Sequence, residues 1–143
     1  ATEIGKLFPE VTVEEQACPM WVPLVEYGES NAPGADYFVE KYTSELMQRD
    51  PRIDTIILGC THYPLLRPKI REALPESIGL ISQGELVASS LADYLLRHPE
   101  MEHRLSQGGE ISYRTTECPE KFEELASIFT GTEVRATRVK ITG

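Results

Sequence analysis

The stretch Ile53-Asp54-Thr55-Ile56-Ile57-Leu58-Gly59-Cys60-Thr61-His62-Tyr63-Pro64 decides the fold. From Ile53 to Leu58 it is β-branched and nearly all apolar, the pattern of a strand buried on both faces of a parallel sheet. Gly59 punctuates the carboxyl end of that strand. Downstream, Pro68 sits where a first helical turn tolerates proline, and Ile70 and Leu74 follow before Pro75. Ile78-Gly79-Leu80-Ile81 then reads as a second short buried strand, so the segment predicts a strand, a crossover helix and another strand.

Working outward toward the amino terminus, Phe38, Tyr42 and Leu46 recur at helical spacing, with Val39 and Met47 widening the stripe, until Asp50-Pro51 ends it. Gly28 to Gly34, with Ser30, Asn31 and Pro33, is a loop by its turn residues. Val11-Thr12-Val13 reads as a short strand leading to Ala17-Cys18-Pro19. Ile4, Leu7 and Phe8 mark a helix already under way at the start and closed by Pro9-Glu10; with no initiator Met, that beginning suggests a fragment or a processed product. Toward the carboxyl terminus, Val87, Leu91, Tyr94 and Leu95 place a helix over 85–97. Ser106-Gln107-Gly108-Gly109 is a turn, Ile111 to Thr115 alternates like a strand, a helix follows Pro119, and Val134 to Ile141 closes with a strand. The expected class is α/β, a parallel-sheet lobe with flanking helices over 10–98. A second composition segment begins near 99, where the buried-strand character fades.

The 143 residues predict one domain or slightly less at ~150 residues per domain. With 23 acidic and 14 basic side chains the chain carries a formal charge of −9, which argues against nucleic acid or an anionic membrane as the main partner. No apolar run approaches the ~20 residues of a membrane span. Three cysteines without a CxxC pair speak against a disulfide framework and a zinc ribbon, and a reducing cytoplasm is the natural setting.

Cys60 lies directly past a strand end, where open α/β sheets bind ligands, after a glycine that lets the backbone turn sharply. A thiol works as base or nucleophile in its thiolate form, which a neighbouring imidazole favours; His62 could do that or carry the proton to and from sulfur. Backbone N–H groups at the turn, with the Thr61 hydroxyl, could hold a carboxylate. Equally, Cys60 could be one more small buried residue, because free cysteine is often packed away. Glu26, after Pro23-Leu24-Val25 and ahead of a glycine turn, is either a cleft carboxylate able to orient His62 or a solvated loop acid. Cys18 lacks a His or basic neighbour in sequence and reads as structural. Cys118 before Pro119 fits packing or weak capping at a helix start. His98 and His103 lie in a polar, acidic stretch and read as solvated, and the three histidines have no metal-ligand spacing. Ser82-Gln83-Gly84-Glu85, at a strand end, is explained by helix capping or by a ligand role. Trp21 reads as core or as a domain contact.

Ile56-Ile57-Leu58-Gly59-Cys60-Thr61-His62-Tyr63-Pro64-Leu65-Leu66 closely resembles the second catalytic segment of the glutamate racemase family, whose members supply D-glutamate for peptidoglycan without a cofactor. Ala17 to Glu26 and Thr115-Thr116-Glu117 leading into Phe122 agree with the same family. His62 is the discriminating residue, since aspartate racemases carry a Gly-Cys-Thr-Glu type of turn. The resemblance implies a two-thiol mechanism. Cys60 would be the base acting on the L-isomer, His62 its proton partner, Glu26 the carboxylate behind that histidine, and Thr61 a substrate-carboxylate contact.

The resemblance also implies an α/β lobe facing a second, similar lobe. Nothing in the sequence matches the family's amino-terminal half, which holds the other cysteine. Residues 10–98 would then form most of the second lobe, and 99–143 would pack on the absent first lobe. The implied partners are glutamate and that amino-terminal lobe, with a homodimer left open; no cofactor is implied, and the fragment alone is expected to be inactive. Two other readings of Cys60 compete with a racemase: a thiol-nucleophile hydrolase or decarboxylase, and a non-catalytic α/β binding module.

Overall fold

The computed structural model describes residues 2–141, which divide into two compact units that meet between Gly84 and Glu85. The sequence reading set its change of composition later, near 99.

In the first unit, helix α1 (Thr2–Leu7) stops ahead of Pro9, as a helix must when the next N–H is missing. Of the expected opening helix, Ala1 lies outside the described residues. Helix α2 (Trp21–Glu26) is short and ends on Gly28, whose positive φ of 71° suits a residue without Cβ; its N–H donates to the Val25 carbonyl at 3.1 Å. Helix α3 (Pro33–Arg49) has proline in its first turn and buries Ala35, Val39 and Tyr42 on one stripe. Thr43, also buried, turns its hydroxyl back onto the Val39 carbonyl at 2.8 Å, so that hydroxyl is not stranded in the core.

Strand β1 (Thr55–Leu58) leads through a 3-10 turn (Tyr63–Leu66) into helix α4 (Arg67–Glu72) and then strand β2 (Gly79–Ser82). The two strands pair in parallel, Thr55 opposite Gly79 and Leu58 opposite Ser82. A parallel pair needs a crossover, and α4 supplies it. The Arg71 guanidinium ties the return to β2 by donating to the carbonyls of Ile78, at 2.6 Å, and of Pro75. Leu66 and Ile70 are fully buried and join α2, α3 and β1 in one apolar cluster with Val25, Val39 and Leu58.

Two expectations for this unit need correction. Val11-Thr12-Val13 carries no regular secondary structure and joins no sheet: the strands of this unit are only β1 and β2 among the described residues. Nor is β1 buried on both faces. Leu58 is 2% exposed but Ile57, whose side chain alternates to the other face, is 52% exposed, because that face of β1 is left uncovered; β1 also pairs on one side only, so one edge is open. The apolar run recorded what the strand is suited to contact, not what covers it here.

Helix α5 (Gln83–Arg97, entered directly from β2) begins on the last two residues of the first unit and continues into the second, which also contains α6 (Pro99–Glu102), β3 (Tyr113–Thr115), α7 (Pro119–Thr130) and β4 (Ala136–Arg138). Strands β3 and β4 are again parallel, Tyr113 opposite Ala136 and Thr115 opposite Arg138, with α7 as the crossover. Both are shorter than the 111–115 and 134–141 read from sequence. Helix α7 ends on Gly131 at a φ of 67°. Its side chains bind the chain that follows: Ser127 Oγ accepts the Val134 N–H at 3.1 Å, and Glu123 Oε1 accepts the Ala136 N–H at 2.8 Å. Both units thus hold the parallel pairs and flanking helices of the expected α/β class. No helix among the described residues is long and apolar enough to cross a membrane.

Candidate active site

The turn after β1 is closed by the Tyr63 N–H donating to the Cys60 carbonyl at 3.2 Å, which leaves Cys60, Thr61 and His62 at the carboxyl end of the strand. Cys60 Sγ stands 3.7 Å from His62 Nδ1, and the Thr61 hydroxyl stands 3.4 Å from the same nitrogen. On the far side of the ring, His62 Nε2 is 3.1 Å from Glu26 Oε1, a contact that brings together residues 36 apart in sequence. Thiol, imidazole and carboxylate therefore form one chain, from Cys60 through His62 to Glu26.

The carboxylate fixes the direction of that chain. A carboxylate only accepts, so Nε2 is the donor in that contact, and the tautomer with its proton there offers the Nδ1 lone pair to the sulfur side. In that tautomer His62 can receive the thiol proton and pass it back, while Glu26 stabilises the imidazolium formed in between. The His62 side chain is 23% exposed and that of Glu26 49%, so the chain runs from a sheltered sulfur to an open carboxylate. Cys60 itself is half-buried.

The remaining candidates lie elsewhere. Cys18 is buried at 7% exposure in the core cluster. Burial, then the nearby Glu45 charge, push its thiol up to about 11, partly offset by a hydrogen bond from the Tyr63 hydroxyl. It stays neutral at physiological pH, as a structural thiol should. Because this folded value lies above the ordinary 9.0, its contribution to stability is whole below pH 9.0 and is lost as pH rises through about 11. Alkaline unfolding of the chain should show that loss, and Cys18→Ala should remove that alkaline step; an identical alkaline loss in the alanine variant would contradict this burial effect.

Cys118 is exposed rather than packed and makes no cap bond at the start of α7; its thiol donates to Glu120 at 2.7 Å and holds that carboxyl below its ordinary range. His98 is not simply solvated: it pairs with Glu100 at 2.9 Å and stacks on Tyr94 with ring centroids 4.3 Å apart. His103 is solvent-facing, 3.8 Å from Glu102. No group of three or more His, Cys, Asp or Glu among the described residues could hold a metal ion.

A groove of about 1080 Å³ runs along the open edge of β1 and the irregular segment before Cys18. Cys60 and Tyr63 line it, whereas Thr61, His62 and Glu26 do not. Its size exceeds what a small ligand needs, and its apolar walls include Ile56 and Ile57. We read it as an uncovered sheet edge rather than a reaction chamber.

Comparison with known proteins finds no matching family model. The chain is 41% identical over 117 residues to a glutamate racemase of Shouchella clausii, covering 82% of this chain and 41% of that protein. It is 36% identical over 131 residues to one from Geobacter metallireducens, covering 92% and 47%. This chain is a relative of the glutamate racemases. It spans less than half the length of these curated relatives.

Solved glutamate racemases agree. One from Bacillus anthracis matches with a TM-score of 0.79 at 29% identity over 98% of this chain and 51% of its own. One from Francisella tularensis, solved in complex with D-glutamate, matches with 0.79 at 27% identity over 97% and 51%. The racemase likeness therefore extends over both units, and the Cys60 turn stands in a chain with the fold of half a racemase.

Sequence reasoning singled out Cys60, Thr61, His62 and Glu26, and the structure brings all of them together. It missed Tyr63, whose ring lies edge-on to Trp21, 4.7 Å between centroids at 82°. The available signal was a pair of aromatics flanking the two motifs, one in Met20-Trp21-Val22 and one in Thr61-His62-Tyr63.

Proposed function

We propose that the chain supplies one face of the reaction site of a cofactor-independent glutamate racemase, with Cys60 as the base on that face. The observation that carries the reading is the unbroken Cys60–His62–Glu26 chain at the end of a parallel strand, in a relative of glutamate racemases. The Cys60 thiolate removes the α-hydrogen of L-glutamate as a proton and becomes a thiol, leaving the electron pair on Cα. A second thiol on the opposite face delivers its own proton to that carbon, which inverts the centre and leaves the second sulfur as thiolate. In the reverse direction the roles exchange. His62 passes the proton between sulfur and solvent, Glu26 holds its ring, and Thr61 with the turn amides binds the substrate carboxylate, which bears the developing charge.

Cys18 does not fit the part of the second thiol. It is buried and neutral up to about pH 11, so it cannot act as thiolate in the reverse step. The second base then belongs to a complementary amino-terminal lobe, and residues 99–143 pack against that lobe while 10–98 carry the Cys60 face. The open edge of β1, the half-exposed Ile57 and the apolar Leu86, Val87 and Leu91 on the surface of α5 support a chain that works joined to more protein. On this reading the reaction takes place in the cytoplasm and its product, D-glutamate, serves peptidoglycan synthesis.

The test is to join this chain to the amino-terminal half of the Shouchella clausii relative and follow the optical rotation of L-glutamate. Decay of rotation to zero without added cofactor supports the proposal. A hybrid that folds and binds glutamate yet leaves the rotation unchanged overturns it.

A further inference from the structure

The reacting chain is assembled from two separate pieces of backbone. Cys60 and His62 ride on the turn after β1, and Glu26 rides on the end of α2. A hydrogen bond of 3.1 Å between side chains on different elements lasts only if something fixes the elements to each other. Glu26 cannot do this alone: its side chain is half in water, where an ion pair contributes little.

Beside the apolar cluster that Val25 of α2 shares with Leu58 and Leu66, one ring contact joins the two pieces right next to His62. Trp21 opens α2 and is buried at 4% exposure, its indole N–H donating to the Phe38 carbonyl of α3 at 3.3 Å. Its ring also stands edge-on to Tyr42 at 6.1 Å, so Trp21 is held from the α3 side. Tyr63, the residue after His62, lays its ring against that fixed indole at 4.7 Å and 82°, the edge-to-face geometry aromatic pairs favour. The Tyr63 hydroxyl also hydrogen-bonds the Cys18 thiol, just ahead of α2. The backbone of Tyr63 closes the Cys60 turn. Tyr63 therefore both closes the turn and packs it, next to His62, against the helix that carries Glu26.

We infer that Tyr63, through its ring contact with Trp21, is the positioning residue that holds His62 against Glu26. The inference rests on reading Cys60, His62 and Glu26 as one reacting unit, but its test uses no turnover.

The experiment is a pair of substitutions read by imidazole nitrogen NMR of His62 in the 143-residue chain. In the native chain, Glu26→Gln should move the Nε2 resonance, because the acceptor loses its charge. In Tyr63→Phe, which keeps the ring, the same displacement should persist. In Tyr63→Leu it should be lost, with the methyl signals of Leu66 and Ile70 still dispersed. Should Tyr63→Leu unfold the unit, Trp21→Phe serves instead, and it should reduce the displacement. A full native displacement in the variant that remains folded would overturn the inference, and so would its loss in Tyr63→Phe. A folded, glutamate-binding hybrid with native coupling but no racemisation would sink the proposed function and leave this inference standing.

Discussion

Replacing Cys60 with serine in the joined enzyme should lower racemisation by about 10²–10⁴-fold, the usual contribution of a positioned proton-transfer group. At 1.36 kcal/mol per tenfold, that is about 3 to 5 kcal/mol of barrier. The oxygen of serine fills nearly the same space and can still face His62 Nδ1, so the Cys60–His62–Glu26 geometry is kept. What is lost is a group that exists readily in both protonated and anionic forms near neutral pH, since a hydroxyl in water ionises only far above it. Binding of glutamate should change little, so kcat carries the loss and KM does not. Steady-state rates from either isomer check this, and a variant retaining more than about a tenth of native kcat would contradict it.

The second large effect concerns the chain by itself. The 143 residues without a complementary half should bind glutamate weakly and show no detectable racemisation. The site as described offers one reacting thiol, Cys60, with Cys18 buried and neutral. One face of a two-face reaction can remove a proton but cannot place another on the opposite side. Nor can half a site exclude water from the carbanion, and Glu26 and Thr61 are open to solvent. Polarimetry at high protein concentration is the check. Sustained interconversion by the chain alone would show that its own residues, or a second copy of them, complete the site.

Much of this was legible in the sequence, for reasons specific to particular residues. The run from Thr55 to Leu58 is β-branched and ends on a glycine, so strand and turn were both written locally, and the position of Cys60 followed. Phe38, Tyr42 and Leu46 carried the helical period of α3 in the same local way.

What could not be read depends on partners distant in sequence. The Glu26–His62 contact spans 36 residues, and no periodicity reports it; the family resemblance did. Val11-Thr12-Val13 has the composition of a strand, but a strand needs a neighbour to pair with, and here it has none. Ile57 has the composition of a core residue and is half-exposed because its face of β1 is left uncovered. The aromatic contact of Tyr63 with Trp21 was illegible because either ring alone would pass as ordinary core. The departures at β1 and its neighbouring segment share one physical cause: composition states what a segment can bury, and the surrounding chain decides whether it does.

The central claim is that sulfur at Cys60 exchanges the hydrogen on Cα. The most direct measurement places L-glutamate with the joined enzyme in D2O and follows deuterium at Cα by proton NMR. The account predicts that deuterium enters as racemisation proceeds, and that Cys60→Ser stops its entry from the L-isomer. Undiminished deuterium entry in the serine variant would contradict it.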